Sequence, residues 1–289
     1  MSAKHWKLGI IGWPLGYSLS PLMHDAALKA AGLKGDYKRY PVKSEDLERW
    51  LVTDALELNG FNVTMPHKKA VFHWLERCGK FNQPELIRAV GAVNTIKMQD
   101  GRAVGSNTDG MGFLEPIDLN SVRGKRVLLF GAGGAAQAIA VYLAYSGQIG
   151  SLEIWNRHWE RADMLARRIQ ELHAPCSEQV RAERLLRDVP IREMELLINA
   201  TPAGMKEEED LPLDYGQLHA GQIVYDIVYE PKETRLMREA RERGCQVITG
   251  DEMLAAQGAA AFEIWTKVPA AKVLPAMKKA LDEHFAART

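Results

Sequence analysis

Arg126-Val127-Leu128-Leu129-Phe130-Gly131-Ala132-Gly133-Gly134-Ala135 is the stretch of this 289-residue chain that decides its fold. The run from Val127 to Phe130 is continuously apolar and predicts a buried strand, and the alanine-rich segment after the glycines predicts a helix to about Ser146. Glycines between a strand and a helix permit a tight turn and let a pyrophosphate approach the N–H groups at the helix N-terminus. The stretch therefore predicts a dinucleotide-binding unit, and the alternative is a tight turn that holds no ligand.

Strand and helix patterns extend outward from this unit in both directions. Strands are predicted over 7–12, 36–42, 60–64, 93–98, 102–106, 126–130, 151–155, 196–199, 223–227 and 246–248, with a hairpin turn at Asp100-Gly101. Helices are predicted over 21–31, from 44 onward, over 68–76, from the glycines to about 146, and over 159–172, 232–243, 253–265 and 271–285. Strands that alternate with helices predict an α/β fold with a parallel sheet covered on both faces. The length predicts two domains.

Charge and cysteine content narrow the class of protein. The 37 basic and 37 acidic residues give no global attraction to nucleic acid or to a membrane, so any bound anion must be held locally. The three cysteines, Cys78, Cys176 and Cys245, are too scattered for a disulfide framework and suit a reducing compartment. The start of the chain lacks the apolar run of a signal peptide, and no later run has transmembrane length, so we expect a cytoplasmic protein.

The end of the second strand after the glycine loop predicts which dinucleotide binds. An NAD-binding chain usually places Asp or Glu there to bind the ribose 2′-hydroxyl. Here the strand ends in Asn156-Arg157-His158, and Arg161 follows one helical turn after Arg157. Two guanidinium groups match the geometry of a 2′-phosphate, which predicts NADP. The alternative is that both arginines begin a basic helix that faces solvent.

The first 110 residues contain small polar groups beside glycine and proline. The candidates are Ser18, Ser20, Asn62, Thr64, Lys68, Asn94 and Asp109. Hydroxyls, amides and a lysine–carboxylate pair together suit a polyhydroxylated carboxylic acid. Taken singly, the serines are equally compatible with helix capping, and Asn94 and Asp109 with turn formation. No metal is predicted, because the spacing of His67, His73 and Cys78 matches no familiar zinc site.

These motifs together resemble the shikimate dehydrogenase family over essentially the whole chain. The matching strings are Ser18-Leu19-Ser20-Pro21, Asn62-Val63-Thr64-Met65-Pro66-His67-Lys68, Gly91-Ala92-Val93-Asn94-Thr95, Asn107-Thr108-Asp109-Gly110, Gly131–Ala136, Asn199-Ala200-Thr201-Pro202, Tyr225-Asp226-Ile227-Val228-Tyr229 and Gln257-Gly258-Ala259. Their order and joint occurrence are far more specific than the glycine loop alone.

The resemblance implies a reversible reaction in which NADPH reduces 3-dehydroshikimate to shikimate, on the route to chorismate and the aromatic amino acids. It also implies an α/β substrate-binding domain, residues 1–110 and 254–289, and a Rossmann-like NADP-binding domain, residues 111–253, with a cleft between them. The expected partners are small molecules, with neither nucleic acid nor membrane, and the expected assembly is a monomer or homodimer.

The resemblance also implies roles for individual residues. Ser18 and Ser20 would bind the substrate carboxylate, and Lys68 with Asp109 would form the catalytic pair in contact with the substrate. The ring hydroxyls and the carboxylate edge would be held by Asn62, Thr64, Asn94, Tyr229 and Gln257. The cofactor would contact Glu85, Gly131, Ala132, Gly133, Gly134, Ala135, Asn156, Arg157, His158, Arg161, Ala200, Thr201, Ile227, Gly250 and Met253.

One departure from the family concerns the cofactor. The family usually reads Asn-Arg-Thr at the end of the second strand, and His158 replaces the threonine here. The preference for NADP is therefore expected to be softer, and a protonated His158 would add a donor. Two alternatives stay open: a quinate/shikimate dehydrogenase that accepts NAD, and an NADP-binding sensor without turnover, which predicts a broken Lys68–Asp109 pair.

The expected chemistry of Lys68 has two sides. It can protonate a carbonyl oxygen on reduction or accept the hydroxyl proton on oxidation. A neighbouring Asp109 carboxylate stabilises the ammonium form, which makes the lysine a weaker base. Desolvation acts in the opposite direction, so acid, base and electrostatic clamp all stay open.

Overall fold

The computed structural model describes residues 4–16, 18–206 and 208–288. The chain forms two compact units, Met1–Gly112 with Ala255–Thr289, and Phe113–Leu254. The terminal residues of the predicted domains, 1–3 and 289, lie outside the described residues. The predicted α/β class is confirmed. None of the described helices is both long and apolar enough to cross a membrane.

The first unit contains a mixed six-stranded sheet in the order β2-β1-β3-β5-β6-β4. Its strands are β1 (His5–Gly12), β2 (Lys34–Pro41), β3 (Gly60–Val63), β4 (Lys80–Phe81), β5 (Thr95–Gln99) and β6 (Arg102–Ser106). Its helices are α1 (Ser20–Ala31), α2 (Leu47–Val52), α3 (Lys68–Cys78), α4 (Pro84–Val90), α5 (Asp109–Leu114), α9 (Gly250–Thr266) and α10 (Ala270–Ala286). The first turn of α9 and the last two residues of α5 belong to the second unit.

The sheet of the first unit departs from the all-parallel pattern because of a hairpin. β1 pairs in parallel with β2 and β3, whereas β5 runs antiparallel to both β3 and β6. A left-handed Asp100-Gly101 turn joins β5 to β6, as predicted from the Asp-Gly pair. The hairpin brings Asn94, which precedes β5, beside Ser106 at the end of β6, where the Asn94 N–H donates to the Ser106 carbonyl at 3.2 Å.

The second unit contains a six-stranded parallel sheet in the order β12-β11-β10-β7-β8-β9. Its strands are β7 (Arg126–Phe130), β8 (Ser151–Trp155), β9 (Val180–Glu183), β10 (Leu196–Asn199), β11 (Ile223–Asp226) and β12 (Gln246–Thr249). Its helices are α6 (Gly134–Ser146), α7 (Trp159–Gln170) and α8 (Arg235–Glu242). The order reverses between β7 and β10, the place where a doubly wound sheet forms its ligand crevice at the carboxyl ends of the strands.

Several elements differ from the sequence-based predictions. The helix predicted from Ser44 is a 3-10 turn, Ser44–Asp46, followed by the short α2. The short strands β4 and β9 and the helices α4 and α5 carry too little periodicity to be predicted. The helix predicted over 232–243 begins only at Arg235, because Thr234 caps it by accepting a hydrogen bond from the Met237 N–H at 3.2 Å.

A buried carboxylate ties two neighbouring strand ends together in the second unit. Asp226 ends β11 and accepts hydrogen bonds from the Asn199 amide at 2.9 Å, the Thr234 hydroxyl at 2.7 Å and the Val228 N–H at 3.0 Å. Burial nevertheless raises the pKa of Asp226 from 3.8 to about 6, because desolvation of the carboxylate outweighs these hydrogen bonds. The charged form therefore costs stability in the folded state.

Replacement of Asp226 by Asn is predicted to change the pH dependence of stability. A carboxyl group whose pKa is higher in the folded state binds more protons there, so its contribution falls as pH rises from the unfolded to the folded pKa. The expected result is that the free energy of unfolding of Asp226→Asn, relative to wild type, rises by up to about 3 kcal/mol from about pH 4 to about pH 7. Urea unfolding at several pH values measures it, with exposed Asp188→Asn as the control. Parallel curves for wild type and Asp226→Asn would contradict this account.

Candidate functional site

An ion pair between Lys68 and Asp109 is the centre of the polar cluster in the first unit. Lys68 begins α3 and Asp109 begins α5, and Lys68 Nζ lies 2.6 Å from Asp109 Oδ2. The side chains are 21% and 9% exposed, so the pair is largely removed from water while the ammonium stays reachable. Such a pair stores a proton at a defined atom. The two sequence-predicted catalytic residues are thus brought into direct contact.

Two asparagine side chains position Asp109, one through its carboxylate and one through its backbone. Asn94 Nδ2 donates to Asp109 Oδ1 at 2.8 Å, and the Asp109 N–H donates to Asn107 Oδ1 at 3.0 Å. Asn94 is itself oriented, because its Oδ1 accepts from the Thr108 N–H at 2.8 Å. One carboxylate oxygen of Asp109 is therefore held by an amide and the other faces the ammonium of Lys68.

Asn62, on β3, has no free polar atom. Its Oδ1 accepts from the Tyr37 hydroxyl at 2.7 Å, and its Nδ2 donates to the Asn94 carbonyl at 3.2 Å and to Thr95 Oγ1 at 3.1 Å. Only 5% of the residue is exposed. Both of its polar atoms are thus engaged within the protein, and the residue holds the backbone of Asn94 in place.

A neutral aromatic layer supports Tyr37 from below. The ring of His24 stacks on Tyr37 with centroids 4.3 Å apart and also lies against Trp265 at 5.2 Å. Complete burial lowers the pKa of His24 to about 3, so the imidazole stays uncharged at neutral pH. The same burial raises the pKa of Tyr37 well above 10, which keeps its hydroxyl a hydrogen-bond donor to Asn62.

The two predicted carboxylate-binding serines lie at the start of α1. Ser20 is the first residue of that helix, and its N–H donates to Ser18 Oγ at 3.3 Å. An exposed Arg39 on β2 donates to the Ser18 carbonyl, which places a guanidinium beside the serines. Thr64 follows β3, and its hydroxyl has no partner among the described residues. These groups can hold an anion.

The remaining predicted substrate residues lie on other elements. Gln257 is on α9, so close to α5 that a Cβ added to Gly112 would lie 2.5 Å from the Gln257 backbone nitrogen. Tyr229 belongs to the second unit, three residues after β11, and burial raises its pKa. Its hydroxyl is therefore a neutral donor.

The glycine loop of the second unit contains glycines that are needed for different reasons. Gly131 has φ +116°, and a Cβ there would lie 2.7 Å from the Ala200 carbonyl oxygen, so the fold itself requires glycine. Gly133, the residue before α6, has φ −79° and nothing within 4 Å of an added Cβ. Ala132, Gly134 and Ala135 complete the turn into α6, whose N-terminus is favourable for a phosphate group.

The Asn156-Arg157-His158 segment forms the N-terminal approach to α7. Asn156 Nδ2 donates to the His158 carbonyl at 2.8 Å, which closes the turn between β8 and the helix. Arg157, His158 and Arg161 pair with no carboxylate among the described residues, whereas Arg167 on the same helix pairs with Asp163 at 2.9 Å. Two unpaired guanidinium groups at a helix N-terminus suit a phosphate.

The other predicted cofactor residues follow the carboxyl ends of the strands, with one exception. Ala200 and Thr201 follow β10, Ile227 follows β11, and Gly250 and Met253 lie in the first turn of α9. Glu85 lies in the first unit, exposed in the first turn of α4. The described residues contain no group of three or more His, Cys, Asp or Glu side chains able to hold a metal.

The sequence did not predict the residues that position the site residues through hydrogen bonds. Asn199 Oδ1 accepts from the Thr201 N–H at 3.0 Å and its hydroxyl at 2.7 Å, and so shapes the loop after β10. Tyr37, Arg39 and Thr95 act in the same way in the first unit. A polar residue at a strand end could have pointed to Asn199, whereas Tyr37 and Arg39 on β2 carry no such signal.

Three family models match the chain in succession. They are the shikimate dehydrogenase substrate binding domain over residues 10–96, shikimate/quinate 5-dehydrogenase over 116–205, and the shikimate 5′-dehydrogenase C-terminal domain over 250–281. Together they follow both units of the fold.

Whole-chain relatives agree with these models. Shikimate dehydrogenase (NADP(+)) of Symbiobacterium thermophilum is 42% identical over 271 residues, 89% of this chain and 88% of the relative. Shikimate 5-dehydrogenase of Thermus thermophilus, solved with NADP(H) and shikimate, is 34% identical with a TM-score of 0.79, over 95% of this chain and 99% of that one. Ligand-free 5-ketofructose reductase of a Gluconobacter species is 32% identical with a TM-score of 0.86, over 98% and 99%. The chain belongs to the shikimate dehydrogenase family.

Proposed function

We propose that this chain is an NADP-dependent shikimate dehydrogenase. It reversibly reduces 3-dehydroshikimate to shikimate with NADPH, in the biosynthesis of chorismate and the aromatic amino acids. The observation that carries the proposal is the Lys68–Asp109 pair at 2.6 Å, held by Asn94. In the second unit, two arginines with no ion-pair partner among the described residues follow the strand next to the glycine loop. That combination supplies a proton at one place and a site for a phosphorylated dinucleotide at another.

Lys68 manages the proton of the reaction. Bound NADPH supplies a hydride equivalent, and the carbonyl oxygen of the substrate must then gain a proton. Lys68 Nζ donates that proton on reduction and takes it back on oxidation. Asp109 lies 2.6 Å away and stabilises the ammonium, so Lys68 acts first as an acid and as an electrostatic clamp on the developing oxyanion.

The substrate is held by hydroxyl, amide and guanidinium groups. Ser18 and Ser20 bind its carboxylate, and Arg39 beside Ser18 adds positive charge. Thr64, Gln257 and Tyr229 bind ring hydroxyls. Asn94 orients the site instead, because both of its amide hydrogens are used within the protein, by Asp109 Oδ1 at 2.8 Å and by Thr108 Oγ1 at 3.1 Å.

Asn62 is likewise a positioning residue in this proposal. All of its polar atoms are used by Tyr37, Asn94 and Thr95, and the residue is 5% exposed. It therefore acts as a positioning residue that keeps Asn94 at the distance from which it orients Asp109, rather than as a contact to the substrate.

The cofactor is held at the carboxyl edge of the parallel sheet in the second unit. The N-terminus of α6 and the exposed backbone at Gly133 receive the pyrophosphate. Asn156, Arg157, His158 and Arg161 receive the 2′-phosphate, and Ala200, Thr201, Ile227, Gly250 and Met253 line the nicotinamide ribose. Glu85, in the first unit, is the remaining cofactor candidate.

A quinate/shikimate dehydrogenase that accepts NAD is the second candidate. One matched family model covers both shikimate and quinate enzymes, and His158 stands where the family usually has threonine. The presence of both Ser18 and Ser20 favours shikimate. A sensor without turnover is disfavoured because Lys68 and Asp109 are both present and in contact.

The proposed setting is the cytoplasm, with the enzyme as a monomer or homodimer that binds small molecules. Its cysteines are free thiols, with Cys78 exposed and Cys176 and Cys245 buried, which suits a reducing compartment.

Initial-rate assays that follow NADPH absorbance test the proposed function. Shikimate and quinate are each offered with NADP and with NAD, and 5-ketofructose is offered with NADPH. The expected result is the highest kcat/KM with shikimate and NADP. Preference for quinate with NAD would support the second candidate, and absence of turnover with every pair would overturn the proposal.

Lys68→Ala is predicted to lower kcat for shikimate oxidation by about a hundredfold, with KM little changed, because it removes the proton carrier and leaves the binding groups in place. Exposed Lys69→Ala is the matched control and should keep wild-type kcat. Circular dichroism verifies that both variants are folded. A Lys68→Ala enzyme with nearly normal kcat would show that another group moves the proton.

Alanine at Gly131 is predicted to affect stability, whereas alanine at Gly133 is predicted to affect NADP binding. Gly131→Ala should lower the free energy of unfolding by about 1–3 kcal/mol, because of its φ of +116° and the contact with the Ala200 carbonyl. Gly133→Ala should change stability by less than about 1 kcal/mol and weaken NADP binding, since the new Cβ occupies the approach of the pyrophosphate. Thermal unfolding and NADP titration measure both. Unchanged NADP affinity in Gly133→Ala would remove that residue from the cofactor site.

A further inference from the structure

Arg184 follows the edge strand β9 and lies beside the segment proposed to hold the 2′-phosphate. β8 and β9 are parallel neighbours, and their last registered pair is Trp155 with Glu183. The next residues along the two strands are Asn156 and Arg184. Parallel neighbours are about 4.8 Å apart, so the backbone of Arg184 emerges next to that of Asn156 at the carboxyl edge of the sheet.

The side chain of Arg184 points toward the N-terminus of α7. Its guanidinium carbon lies 5.5 Å from the ring centroid of Trp159, the first residue of that helix. Trp159 follows His158 directly and precedes Arg161 by two residues. The strand register and the indole contact therefore place Arg184 independently at the same helix N-terminus as Arg157 and Arg161.

The charge of Arg184 is not neutralised within the part of the chain that the structure describes. It forms no ion pair with a carboxylate of the described residues, although Glu183 and Glu160 are near in sequence. The pKa of Glu209 is lowered mainly by its ion pair with Lys206 at 2.8 Å, and to a smaller extent by the charge of Arg157. Arg157, Arg161 and Arg184 therefore bring three positive charges together with no ion-pair partner among the described residues, an arrangement that an anion would stabilise.

We propose that Arg184 is a specificity-determining residue that supplies a third guanidinium to the phosphate monoester on the adenosine ribose of the cofactor. The proposal rests on the proposed NADP site. The Trp159 ring holds the Arg184 side chain in place, so less conformational freedom is lost when the phosphate binds. Because NAD has a hydroxyl in place of this phosphate, Arg184 contributes to NADP and not to NAD. Arg184 compensates for the loss of the threonine that the family usually has at the position of His158.

Titration calorimetry with 2′,5′-ADP, which carries the 2′-phosphate, and with 5′-AMP, which does not, tests the proposal. Arg184→Ala should weaken 2′,5′-ADP binding about tenfold, the size of one charge-assisted hydrogen bond, and leave 5′-AMP binding unchanged. Arg184→Lys should retain part of the affinity. Arg181→Ala removes the same charge from an exposed position on the same strand and should leave the affinity for 2′,5′-ADP unchanged.

Three outcomes would overturn the proposal. These are unchanged 2′,5′-ADP affinity in Arg184→Ala, an equal loss for 2′,5′-ADP and 5′-AMP, and an equal loss in Arg181→Ala, which would show general electrostatics. The test needs no turnover. Wild-type binding of 2′,5′-ADP without shikimate oxidation would therefore contradict the proposed reaction and leave this inference intact.

Discussion

The pair of Lys68 and Asp109 is the constraint on which the rest of the first unit depends. A carboxylate that is 9% exposed must be hydrogen-bonded and paired, because desolvating a charge without compensation costs several kcal/mol. The amide of Asn94 and the ammonium of Lys68 provide that compensation. Asn94 reaches Asp109 only because the β5–β6 hairpin folds back beside β3, where Asn62 ties the strands together. Fold and acid–base chemistry in this unit thus share one hydrogen-bond network.

The second unit must bind a polyanion, although the chain as a whole has no excess of positive charge. Its means are local: the N-termini of α6 and α7, the exposed backbone at Gly133, and arginines left without ion-pair partners among the described residues. Buried hydrogen bonds from Asn199 and Asp226 shape the loops after β10 and β11. A net charge of zero is therefore compatible with tight binding of a phosphorylated cofactor.

Much of this architecture is predictable because it follows from local rules. Gly131 is required by a left-handed backbone, Asp100-Gly101 by a hairpin turn, and the apolar run of β7 by burial in a parallel sheet. The contacts of Asn62 were not predictable, because they depend on Tyr37, which is 25 residues away and carries no motif. The position of Arg184 was not predictable for a similar reason. The preceding strand, β9, has only four residues, too few to show a period, so its pairing with β8 could not be inferred.

The central claim is that Lys68 and Asp109 act as one unit in catalysis, and a double-mutant cycle tests it most directly. The cycle measures kcat for shikimate oxidation in wild type, Lys68→Ala, Asp109→Ala and the double variant at saturating NADP. If the pair acts as a unit, either single change removes its contribution, so the double variant should be no slower than the slower single variant. A double variant whose loss equals the product of the two single losses would show that the residues act independently and would contradict this account.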